Sequence, residues 1–122
     1  MQYMLVDAET DQDIGPLTDG TVLDLAALPI AGFNIRADTD PAVVGSLRFD
    51  LNQVPYFRIE HLPPYAVLGD ARGDYMPWHP TPQIYTLTAI PYSQPMVTGT
   101  VGISKAITFI ADRYNTCWCR GR

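Results

Sequence analysis

The sequence predicts an all-β protein, an antiparallel sandwich of about seven or eight strands, and three observations predict it. Apolar residues recur with period two in short windows bounded by Gly, Pro, Asp or Asn, as half-buried strands require. The windows follow one another about every ten residues, the spacing of sandwiches and barrels. Pro (11) and Gly (9) are abundant while charged residues make up 17% of the 122, which suits short strands joined by turns better than long helices.

The strands are read in order as Tyr3–Asp7, Thr21–Leu25, Phe33–Ala37, Val44–Leu51, Phe57–His61, Tyr65–Leu68, Ile84–Pro91 and Ser104–Ala111. The pleat assigns their faces: Leu47, Phe49 and Leu51 point one way and Ser46, Arg48 and Asp50 the other. By the same rule Tyr85, Leu87 and Ala89 share a face, as do Ile107, Phe109 and Ala111, and these sets form the expected core. Ile90 and Ile110 blur the alternation. Val22–Leu28 has some helical spacing at Leu23, Ala26 and Ala27, but Pro29 and the surrounding pattern favour a strand followed by a turn.

At this length the chain is one domain, residues 1–111, with 112–122 reading as a C-terminal extension because DRYNTCWCRGR loses all alternation. Cys117 and Cys119 lie one residue apart, so a disulfide between them would close a very small, strained ring. Thirteen acids against eight bases give a net charge of −5, and Lys105 is the only lysine. That balance excludes a basic face for nucleic acid. Neither a signal peptide nor an apolar run long enough to span a membrane is visible in the residues given.

Two loops carry the distinctive composition. Asp7–Asp19 is acidic and punctuated by Gly15–Pro16, and Gly69–Gln83 holds three prolines with Tyr75, Trp78 and His79. Val6–Leu17 with Asp19–Gly20, Phe33–Leu51 and Pro64–Ser93 together resemble immunoglobulin-like β-sandwich modules found in large secreted or surface-attached bacterial proteins. The resemblance implies an immunoglobulin-like fold and an extracellular or cell-surface setting. It also implies a binding, spacer or adhesion role beside polysaccharide-degrading enzymes, proteases or adhesins, with no catalytic motif to carry over.

Alternating carboxylates Asp7, Glu9, Asp11 and Asp13 could bring several oxygens to one hard cation such as Ca²⁺. The pattern is not an EF-hand loop, since Gln12 and Thr18 stand where its Gly and Glu belong, and turn capping is the competing reading. In the second loop, Asp70, Asp74, Tyr75, Trp78 and His79 form the candidate ligand site: exposed rings stack on sugar faces while carboxylates accept hydrogen bonds from hydroxyls. The competing reading makes Trp78 and Tyr75 a plug over the open end of the sandwich, and Asp70 with Gly69 and Gly73 a turn. Arg72–Gly73–Asp74 is an integrin-type tripeptide that arises easily by chance. Tyr85, opening a strand after a proline-rich loop, is placed as a tyrosine corner.

Catalytic arrangements are poor. No serine sits in a G-x-S-x-G elbow, and His61 and His79 have no metal-binding spacing. The leading expectation is therefore a non-catalytic module binding a glycan or protein partner through its end loops. The alternatives are a structural spacer or a homodimer paired through edge strands, and, more remotely, a small hydrolase.

Overall fold

The computed structural model describes residues 1–29 and 31–113; most of the sequence-expected C-terminal extension, with Cys117 and Cys119, lies outside them. The described residues are all strand, turn and loop. In chain order the strands are β1 (Gln2–Asp7), β2 (Asp13–Leu17), β3 (Val22–Asp24), β4 (Phe33–Asp38), β5 (Ser46–Leu51), β6 (Val54–Glu60), β7 (Tyr65–Ala66), β8 (Asp70–Ala71), β9 (Asp74–Tyr75), β10 (Gln83–Gln94), β11 (Thr98–Val101) and β12 (Lys105–Asp112). Among the described residues no helix is long and apolar enough to cross a membrane.

One sheet runs β2-β1-β4-β7 and the other β3-β12-β10-β5-β6, with β11 also paired to β10; β8 and β9 form a separate ribbon. All pairings are antiparallel except β3 with β12. The core lies between the two larger sheets. Tyr3, Leu5, Phe33 and Ile35 meet Leu47, Phe49, Leu51, Tyr85, Leu87, Ile107 and Phe109 in one buried cluster, so every residue expected in the core is there. Alternation produces this directly: β12 reads Ile107, Phe109 and Ala111 inward, with Thr108 exposed between them.

Eight of the strands fall on the eight windows read from sequence, within a few residues at each end. Val22–Asp24 is a strand and a turn follows it, with the Asp24 carboxylate accepting from the Ala26 amide (3.0 Å). The four unread strands are β2, the ribbon β8–β9, and β11. Strand β2 contains Gly15–Pro16, a turn signature in sequence. Proline is tolerated there because β2 is an edge strand with a free side that needs no N–H.

Candidate functional site

The Gly69–Gln83 loop closes one end of the molecule, and the buried side chain that shapes it is Asn34. Its amide donates to the carbonyls of Gly69 (3.0 Å) and Met76 (2.9 Å), and its oxygen accepts from the amides of Leu68 (3.1 Å) and Ile35 (2.7 Å). With all four of its bonding positions used and no solvent exposure, Asn34 ties β4 to the loop. Beside it, burial pushes the Glu60 carboxyl above its usual range despite an ion pair with Arg58. The Arg58 guanidinium lies over Gly69, where an added Cβ would collide with it; Gly69 also has φ +83°, so both space and backbone demand glycine.

This loop uses its rings for packing. Trp78 exchanges backbone hydrogen bonds with Phe33, donating at 2.8 Å and accepting at 3.3 Å. Its indole meets Phe33 (ring centroids 5.5 Å), Tyr85 (5.2 Å, edge-on) and Phe109 (6.5 Å, edge-on). Tyr85 is the tyrosine corner read from sequence: the ring is buried and the hydroxyl donates to the Thr81 carbonyl at 2.9 Å. Tyr75 is buried against Val6, Ala8 and Ala66. Asp70 accepts from the Gly73 amide (2.7 Å) and so forms the β8–β9 turn, while Asp74 is exposed and the His79 ring lies against Gly32. The opening left beside Trp78, lined also by Leu25, Leu28 and Arg113, holds about 50 Å³. On that measure one water takes about 10–15 Å³, so the notch holds a few waters and does not enclose a sugar ring. Of the candidate ligand residues, Tyr75 is buried and Trp78 half-buried in packing, Asp70 shapes a turn, and Asp74 and His79 remain exposed.

The acidic loop is likewise committed to local structure. Asp7 accepts from the amides of Glu9 (2.8 Å) and Thr10 (3.3 Å), and Asp11 from the Tyr75 amide (3.1 Å). Asp13 pairs with Arg36 at 2.8 Å, and the guanidinium holds its carboxyl below the usual range. Arg36 also grips Asp38. Among the described residues no three His, Cys, Asp or Glu side chains are grouped to hold a metal ion. The expected Ca²⁺ ligands Asp7, Glu9, Asp11 and Asp13 are thus not gathered into one group: Asp7 shapes a turn, Asp11 joins the loop to β9 and Asp13 pairs with Arg36.

The opposite end is different. Tyr85 and Tyr92 both lie on β10, seven residues and about 24 Å apart at strand rise. Beyond Tyr92 a groove of about 980 Å³ opens between the β4–β5 loop, β10 and the link from β11 to β12. Val43, Val44, Pro91 and Ile103 supply apolar walls, and Thr39, Ser93, Thr100 and Ser104 supply hydroxyls. Val43 and Ile103 are exposed, Ile103 almost completely. Asp40 and Lys105 also line the groove, and among the described residues neither is in an ion pair. Sequence reading did not single out this end. The available signal was that residues 75–104 contain no Asp, Glu, Lys or Arg.

No family model matches the chain, and it has no significant match among curated proteins or solved structures.

Proposed function

We propose that the chain is a non-catalytic interaction module of the immunoglobulin-like class, acting in adhesion by holding an extended, apolar protein segment in the groove beyond Tyr92. The observation that carries this reading is the groove itself, about 980 Å³ with Val43 and Ile103 exposed on its flanks. A groove that leaves aliphatic side chains such as these in water is a candidate contact site. Its chemistry favours peptide over sugar, because the walls are mainly aliphatic and hydroxyl-bearing, with Tyr92 the one aromatic ring among them, and the described tryptophan lies at the other end. The resemblance to modules of secreted and surface-attached bacterial proteins supports the same role.

Selection of a displayed random-peptide library on the immobilised protein tests the proposal. Enriched sequences should be extended and aliphatic-rich, and Ile103→Asp should weaken them by about tenfold or more, while Trp78→Phe leaves them unchanged. No enrichment, or peptides indifferent to Ile103→Asp, overturns it.

A further inference from the structure

We propose that a second copy of this chain docks on the groove end, the two copies pairing their β11 edges antiparallel about a two-fold axis. The inference rests on the reading of that end as a contact surface, and three observations name the occupant.

The first is the state of the edges. Strand β2 carries Pro16 and faces a bulge between Leu5 and Val6. Strand β6 carries Pro55, with Tyr56 at φ +54° beside a register shift. Strands β3 and β7 are three and two residues long. Each of these is a device that blocks pairing with another chain. Strand β11, Thr98–Gly99–Thr100–Val101, is bulged at Gly99 (φ +83°), where its register with β10 shifts, but it has neither proline nor charge, and among the described residues it pairs only with β10.

The second is apolar exposure around that edge. Val43 (62%), Met96 (67%), Val101 (56%) and Ile103 (91%) all stand in solvent. Met96 and Val97, at the tip of the β10–β11 hairpin, both have positive φ, a costly conformation for a β-branched residue that the turn nevertheless keeps.

The third is charge. Two copies at −5 each repel, and residues 92–104, a part of the chain on this end, contain no acid. Asp40 and Lys105, both on the groove and both without an ion pair among the described residues, are complementary across a two-fold axis. In such an interface every contact is made twice, and the proposed pairing sets Asp40 of each copy against Lys105 of its partner.

Sedimentation velocity between about 10 µM and about 1 mM at low salt should show a reversible dimer, with a Kd on the order of 10–100 µM for so small an interface. Asp40→Lys alone and Lys105→Asp alone should each weaken it about tenfold, because both rim pairs become like-charged. An equimolar mixture of the two variants should dimerise about as well as the wild type, since both rim pairs are then opposite in charge. A structural role within one copy would not produce that rescue. Thermal unfolding of each variant establishes that it is folded. Phe57→Asp, on β6, should leave association unchanged. A monomer throughout, a dimer insensitive to the charge variants, or a dimer lost in Phe57→Asp overturns the inference. If association fails while Ile103-dependent peptide binding persists, only the homotypic partner is wrong; if both fail, the contact surface itself is wrong.

Discussion

Replacing Trp78 by Ala separates the two roles its ring could play, and the structure sets the expected size of the effect. The indole touches three aromatic rings, those of Phe33, Tyr85 and Phe109, and packs on the main core while keeping part of its surface in water. Truncating a fully buried Trp costs about 3–5 kcal/mol; partial exposure lowers this to about 2–4 kcal/mol, within which the lost ring pairs account for about 0.5–1.5 kcal/mol each. The backbone bonds to Phe33 survive, because residue 78 keeps its N–H and C=O. Urea unfolding followed by far-UV circular dichroism should therefore show a lower midpoint with an unchanged slope. The melting temperature should fall by about 10 °C or more in a domain of this size. Trp78→Phe should recover most of the loss. A change below about 1 kcal/mol at constant slope would refute the plug and return Trp78 to the list of residues free to meet a ligand.

Tyr85→Phe removes the hydroxyl that satisfies the Thr81 carbonyl and should cost about 1 kcal/mol, measured by the same unfolding; no loss would show that water replaces the bond freely. The paired substitution Met96→Asn, Val97→Gly relieves two positive-φ positions and should stabilise the chain by about 1–2 kcal/mol; destabilisation would show that the side chains hold the tip. Burial raises the Glu60 pKa, so its protonated form is the one favoured by folding, and its contribution is present at low pH and lost as pH rises through the folded value. The stability of wild type relative to Glu60→Gln should accordingly fall as pH is raised from about 4 to about 7. A relative gain over that range would mean that the Arg58 pair outweighs desolvation.

The strands were legible because alternation is a local property that survives folding. Leu47, Phe49 and Leu51 had to share a face whatever they packed against, and all three are buried. Tyr85 was legible for a related reason, since its place after a proline-rich corner is itself sequence-local. Strand β2 was not, because Gly15–Pro16 reads as a turn unless the segment is known to lie at an edge. Asn34 shows the limit most clearly. Alternation puts it with Arg36 and Asp38, outside the core formed by Phe33, Ile35 and Ala37, yet it is fully buried. What buries it is a loop more than thirty residues away in sequence, whose carbonyls it binds, and no local pattern announces such a partner.

Residues of both candidate sites do structural work for one physical reason, which also explains why the groove was not read from sequence. Residue types that suit ligands, carboxylates in a turn and rings in a proline-rich loop, are the same types that satisfy orphan amides and cover an open core end. Asp7, Asp70 and Trp78 do those structural tasks here. A side chain committed in that way is not available to a partner without loss of stability. The groove residues Val43 and Ile103 carry no chemistry that a sequence motif would flag. Their side chains stay mostly in water in the folded chain as in the unfolded one, so they add little burial to the stability of the fold. Polar residues at 43 and 103 would therefore be neutral or favourable for the isolated fold, and Ile103→Asp should leave the unfolding midpoint unchanged or raised. A substantial loss of stability in that variant would place Ile103 in the core's service and remove the strongest argument for a contact surface at this end.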